Sequence, residues 1–154
     1  MRAVSRPIPS SLYKKIHRVL PLVCVDLVVR DRSRKSFLLI KRANEPEIGK
    51  WWFPGGRIFK NEMLKTAVLR KLREEVGLRG RVIKILGVHE YFSRTGYFQG
   101  TNSHTVPIVF LVDLVEDKTE VRLDDQSAEF GWFKNIRSNW DPYLKKFLKR
   151  AGFS

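Results

Sequence analysis

The sequence predicts an α/β (α+β) architecture, a mixed β-sheet sandwiched between helices as α/β/α, in one domain over residues 1–154. Three observations carry this. Apolar, strand-like runs recur along the chain between turn signals. An amphipathic helical period stands mid-chain, directly after a Gly-Gly loop, and a second closes the C-terminal end. The 154 residues and 43% hydrophobic content suit one core.

Each element follows in order. Ser10 or Ser11 stands where it can cap a short helix with Leu12, Ile16 and Val19 on one face, ended before Pro21. Residues 22–29 and 37–41 read as strands joined by a polar turn, and 44–51 as a loop. Trp52-Phe53-Pro54-Gly55-Gly56-Arg57 leads into the central helix. Residues 81–92 read as a long strand broken near Gly87, and 94–102, with Gly96 and Gly100, as a loop of aromatic and polar residues. Residues 106–115 read as an apolar strand, 123–127 as a loop and 129–133 as a strand. Asp141 caps a last helix with Pro142 in its first turn and Tyr143, Leu144, Phe147 and Leu148 as its apolar face. No internal repeat or linker interrupts the series.

Residues 56–78 are the most informative segment. On a wheel of about 100° per residue, with Leu64 as zero, Val68, Leu72, Val76 and Leu69 fall within about 140° on one side. Ala67 closes the other edge of this core-facing stripe. Glu75 falls at about 20°, inside the stripe, where a carboxylate is costly to bury without a cation or hydrogen bonds. Lys71, four residues earlier, is one such partner, and a plain ion pair is the simplest account of the position. It leaves unexplained the second carboxylate, Glu74, and the adjacent Gly55-Gly56 loop. Hard oxygen ligands beside a loop that admits phosphate suit Mg²⁺, which takes one or two carboxylates plus substrate phosphate oxygens.

This pattern resembles the signature of the Nudix hydrolases: G, five residues, E, seven residues, then R-E-U-x-E-E-x-G-U, with U a bulky aliphatic. Gly56, Glu62, Arg70, Leu72, Glu74, Glu75, Gly77 and Leu78 fit it. Lys71 departs from it, standing where the family has a Glu that is often a metal ligand. The resemblance implies the Nudix fold. It sharpens toward the GDP-mannose mannosyl hydrolases through P-L-V-x-x-D-x-x-V at 21–29, L-L-x-K-R at 38–42, W-W-F-P-G-G-R at 51–57 and the loop Asp124-Asp125-Gln126-Ser127. It implies Mg²⁺, or Mn²⁺ in its place, held by the Gly55 carbonyl, Glu75 and Gln126. Arg42 and Arg57 would meet the diphosphate, since guanidinium forks fit phosphate oxygens. Asp26 would contact the sugar, and Arg70 and Glu74 would complete the catalytic box. The family's general base is a histidine at the position held here by Ser127. A serine hydroxyl does not take a proton from water at neutral pH unaided. His104 and Asp125 are the candidate replacements. Otherwise the water is activated only weakly and sugar release is slow, or attack occurs at phosphorus through Glu74 and Glu75.

Composition bounds the remaining readings. No apolar run approaches the roughly 20 residues of a membrane span. Residues 1–11 lack the apolar core of a secretory signal, so a cytoplasmic location is expected. Cys24, the single cysteine, cannot form an intramolecular disulfide and reads as a buried structural thiol. The net charge of +14 favours anionic ligands. Its clusters at 30–35 and 145–150 lack the interleaved aromatics of a nucleic-acid platform, so a nucleotide-sugar is preferred over RNA as the partner. Trp51 and Trp52 read as core or dimer contacts, and a homodimer is expected. Three functions follow: hydrolysis of a GDP-sugar such as GDP-mannose, a pyrophosphatase acting on nucleoside triphosphates or other nucleotide sugars, and a weakly catalytic nucleotide- or RNA-binding protein.

Overall fold

The computed structural model describes residues 1–115 and 120–154. Period-two alternation along β1 (Leu22–Asp31) sets the layering. Val25, Leu27 and Val29 point to one face of the sheet, where they pack with Ala67, Val68, Leu72 and Val76 of α2 (Leu64–Val76). Val28 points to the opposite face, toward Tyr143, Leu144, Phe147 and Leu148 of α3 (Pro142–Arg150). The same alternation holds in β2 (Ser36–Arg42), with Leu38 and Ile40 toward α2 and Phe37 and Leu39 toward α3. The expected α/β/α sandwich is therefore present, with one apolar cluster on each side of the sheet.

The sheet is mixed. β1 lies parallel to β7 (Ser103–Leu114), pairing Leu22 with Thr105 and Arg30 with Asp113 at the two ends of the register. The other pairings are antiparallel: β1 with β2, β2 with β3 (Trp51–Trp52) and β8 (Ser127–Phe133), β1 with β4 (Gly55–Arg57), and β7 with β5 (Gly80–Val88) and β6 (Tyr91–Ser93). The Arg30 guanidinium ties the β1–β7 pair through both Asp113 carboxylate oxygens, at 2.7 and 3.0 Å.

Most boundaries follow from turn and cap chemistry. Gly77 ends α2 in the left-handed region at φ +69° and donates its N–H to Arg73. Asp141 caps α3, accepting from the Tyr143 N–H at 2.8 Å. The strand expected over 81–92 is divided into β5 and β6, with register shifts near Gly87, which sits at φ +152°. β8 begins at Ser127, two residues before the expected strand.

Two helix faces differ from expectation. α1 (Ser10–Val19) takes no side-chain cap and follows Pro9. Its Leu12 and Val19 are exposed, while Tyr13 and His17 pack inward against Phe98 of the 94–102 loop. Aromatic contacts, not the aliphatic stripe, seat this helix. On α2, Leu69 is 41% exposed, whereas Lys71 and Glu75 are buried. The buried arc is thus rotated away from Leu69 because Glu75 and Lys71 satisfy each other and Gly55, which removes the cost that would have kept them at the surface. Trp51 and Trp52 are core contacts: Trp52 stacks on Tyr143 and Trp51 meets Phe133 edge-on.

Candidate active site

A cleft of about 380 Å³ opens between α1, the start of β1, the 42–57 segment and the outer edge of α2. Its floor is set by backbone proximity. β4 runs against β1 with Gly55 opposite Asp26 and Gly56 opposite Val25. A Cβ on Gly55 would collide with Asp26 Oδ1 and the Val25 carbonyl. One on Gly56 (φ +152°) would come within 2.8 Å of Lys71 Cε and 3.1 Å of its Nζ. The Gly-Gly pair is therefore demanded twice, once by the neighbouring strand and once by a buried ammonium.

The acidic residues of the α2 segment divide into two groups. Glu62 is held by Arg70, whose Nε and Nη2 donate to its two oxygens at 2.6 and 2.9 Å, and by the Phe59 N–H at 2.9 Å. The Arg70 guanidinium keeps that carboxyl below its ordinary pKa. Arg70 also donates to Glu74 at 3.0 Å and to the Arg57 carbonyl at 3.2 Å. It acts as a clamp joining the segment that precedes α2, the last turn of α2 and β4. Glu75 is separate and buried. Its Oε2 accepts from the Gly55 N–H at 2.8 Å, and its Oε1 lies 2.7 Å from Lys71 Nζ. Burial pushes the Glu75 carboxyl up, and Lys71 and the Gly55 N–H pull it back. The simple ion pair expected from the sequence is formed, on the wall of the cleft itself.

Asp26 lies at the floor. Burial raises its carboxyl to about 7 even though the Tyr143 hydroxyl donates to Oδ2 at 2.6 Å and favours the charged form. Cys24, two residues before it, lines the cleft and is half-buried, so it is less enclosed than a core thiol; burial, reinforced by Asp26, pushes it up to about 12. Arg57 stands between the Tyr13 and Phe59 rings, 5.5 and 5.1 Å from their centroids, and Arg70 covers Phe59 at 3.8 Å. Arg42 also lines the cleft. Its Nε donates to the Pro46 carbonyl, and its backbone exchanges hydrogen bonds with Lys50 and Gly49, so it braces the loop that forms one wall.

Among the expected site residues, Asp26, Arg42, Gly55, Arg57, Arg70, Glu74, Glu75 and Gln126 all line this cleft. His104 and Asp125 do not. His104 stacks on Phe92 at 4.4 Å across the β6–β7 pair, and Asp125 is exposed on the turn before β8. Pairing in β6–β7 and the turn of the 124–127 segment set both outside this lining. Ser127 is buried beside the β-bulge opposite Arg42 and is likewise absent from the lining. Its hydroxyl faces the Asp124 carboxylate without reaching hydrogen-bond geometry. Tyr143 was legible only as part of an apolar helix face. No spacing rule pairs it with Asp26, which is 117 positions away.

Glu74, Glu75 and Gln126 supply hard oxygens to one cleft. Among the described residues, no three His, Cys, Asp or Glu side chains group as a self-sufficient metal site. Oxygens of this kind are compatible with Mg²⁺ whose shell is completed by a ligand's phosphate oxygens.

A family model described as NUDIX domain matches residues 20–150. The low-salt glycan biosynthesis protein Agl8 of Haloferax volcanii is 36% identical over 142 residues, covering 92% of this chain and 88% of that protein. The ADP-ribose pyrophosphatase of Methanocaldococcus jannaschii is 33% identical over 116 residues, covering 75% of this chain and 64% of that protein. The crystal structure of a MutT protein from Methanosarcina mazei Go1 superposes with a TM-score of 0.65 at 27% identity, covering 84% of this chain and 92% of that one.

Proposed function

The chain belongs to the Nudix family, and from that premise we propose that it hydrolyses a nucleoside diphosphate sugar, such as GDP-mannose, with Mg²⁺ as cofactor. One observation carries the reading. Glu75, pinned by the Gly55 N–H, shares a cleft with Arg57, Gln126 and the buried Asp26–Tyr143 pair. That arrangement offers a cation ligand, a diphosphate contact and a sugar-hydroxyl contact within one 380 Å³ space. The likeness to a glycan biosynthesis protein supports a sugar nucleotide as the substrate class.

When bound, the cation would stabilise charge developing on the leaving diphosphate. The remaining work falls to side chains. Arg57 is held between two aromatic rings, and its fork would meet phosphate oxygens. Arg70 binds Glu62, Glu74 and the Arg57 carbonyl together, which ties β4 to α2. Asp26, with a carboxyl that titrates near neutrality, receives one hydrogen bond from Tyr143 and offers its other oxygen to a sugar hydroxyl.

A second reading has its own support. Ser127 is buried and outside the lining, so the loop offers no base to water at the anomeric carbon. Attack at phosphorus, with Glu74 in the cleft and Glu75 on the cation, needs no such base, and the ADP-ribose pyrophosphatase of M. jannaschii is a relative by sequence. Turnover of a nucleotide-sugar panel in H₂¹⁸O separates the two. Label in the sugar means that the C–O bond broke and the nucleoside diphosphate left intact. Label in a phosphate means that a P–O bond broke. Binding without any Mg²⁺-dependent product would favour a nucleotide-binding protein instead. The homodimer remains our expectation for the assembly, and light scattering at micromolar concentration tests it.

A further inference from the structure

Lys71 is a buried ammonium that the reading above leaves unassigned. Lys71 lines the cleft, and among the described residues the ion-pair partner of its Nζ is a single carboxylate oxygen, Glu75 Oε1 at 2.7 Å. An ammonium has three donors, so one partner leaves capacity for more. The backbone is shaped to admit it: a Cβ on Gly56 would stand 2.8 Å from Lys71 Cε. The other box cation is fully engaged, since Arg70 is bound to Glu62, Glu74 and the Arg57 carbonyl. Lys71 differs from it in kind. It is a compact charge on a flexible four-carbon stem, able to change partner without moving the helix. Its one partner, Glu75, is the carboxylate that the site would offer to a divalent cation.

We propose that Lys71 is the built-in cation of this site: it neutralises Glu75 in the resting protein and passes to the substrate's diphosphate oxygens when a divalent cation takes that carboxylate. This rests on the diphosphate reading above. Lys71 and the metal then compete for one ligand, and the displaced ammonium becomes a phosphate contact. The bound site keeps a single divalent ion, with Lys71 supplying further positive charge. A lysine that merely filled the core would show neither the competition nor the phosphate contact.

The test measures binding, not turnover. Mn²⁺ affinity of the metal-free protein is read by electron paramagnetic resonance, and GDP affinity in saturating Mg²⁺ by calorimetry. The variants are Lys71→Met, which removes the charge, and Lys71→Gln, whose amide still donates to Glu75 and so protects the fold. Circular dichroism checks both. Each is expected to bind Mn²⁺ about 10-fold more tightly and GDP about 10-fold more weakly than the wild type, the scale of one charge-assisted contact. Unchanged or weaker Mn²⁺ binding in folded Lys71→Gln overturns the proposal, and so does unchanged GDP binding. Absence of sugar-nucleotide hydrolysis with these two shifts intact would instead remove the substrate reading and leave the exchange standing.

Discussion

At the residue scale, the cleft separates side chains that hold its shape from side chains that act in it. Glu75 belongs to the second group although it is buried, because its two oxygens face the Gly55 N–H and Lys71 on the wall of the cleft. Glu75→Gln should lower turnover by about 10²-fold or more, the scale of losing one group that stabilises transition-state charge. The fold should survive, read by circular dichroism, although the melting temperature falls, because the amide oxygen can accept from only one of Gly55 and Lys71. Near wild-type kcat at saturating Mg²⁺ would reduce Glu75 to a partner of Lys71. Arg57 supports an independent expectation. Half-buried between Tyr13 and Phe59, it carries no carboxylate partner among the described residues. Arg57→Ala should raise KM about 10-fold, as for the loss of a bidentate phosphate contact, with little change in thermal stability. An unchanged KM with a large fall in melting temperature would assign it to packing.

At the element scale, α3 reaches the cleft floor through one hydroxyl, and β8 reaches the cleft wall through one loop. Tyr143 is core by every apolar contact, yet its OH is the donor for Asp26. The Asp26 carboxyl is raised from 3.8 to about 7 in the folded chain, mainly by burial. A raised carboxyl binds its proton more tightly folded than unfolded. Its contribution to stability is therefore full below about pH 4, is lost as pH rises to 7, and is level above that. In chelator-containing buffer, Asp26→Asn should gain stability over the wild type across pH 4–7, by an amount on the order of a few kcal/mol at neutrality. Glu75 shifts in the same direction and contributes to the wild-type slope, so the readout is the difference between the two proteins. A difference that stays flat with pH would mean that Asp26 is ionised throughout. β8 supports a different result. Ser127 sits buried at the bulge and outside the cleft. Ser127→His should overpack the site, lowering stability by about 1–3 kcal/mol, without raising GDP-mannose turnover. A gain in turnover with a basic limb near pH 6.5 would show that the 124–127 loop brings this position to the water.

At the scale of the whole molecule, the net charge of +14 is spread over the surface, while the cleft itself sets Arg42, Arg57, Arg70 and Lys71 against Asp26, Glu45, Glu47, Glu74 and Glu75. A field of that sign steers an anionic substrate before any contact forms. With the Debye length falling from about 30 Å at 0.01 M to about 10 Å at 0.1 M salt, kcat/KM should drop several-fold across that range while kcat holds. Salt-independent kcat/KM would confine the charge to solubility. No helix among the described residues is long and apolar enough to cross a membrane.

The sequence by itself determined the sandwich, the central helix and most of the cleft. Those features depend on local periods: two in β1 and β2, 3.6 in α2 and α3, and the fixed spacing from Gly56 to Leu78, each legible within about twenty residues. The signature placed Glu75 and Arg70 on the right helix, and the Gly-Gly pair at its mouth. Tertiary structure decided which chemistry those residues are free to do. Only β1–β4 pairing brings Asp26 to Gly55, and only the opposite layer supplies the Tyr143 hydroxyl. Only strand pairing at β6–β7 and the burial of the β8 bulge remove His104 and Ser127 from the cleft. The physical reason is range. Amphipathic periods are written residue by residue, whereas the partner of a buried polar group comes from whichever strand or helix the packing sets beside it.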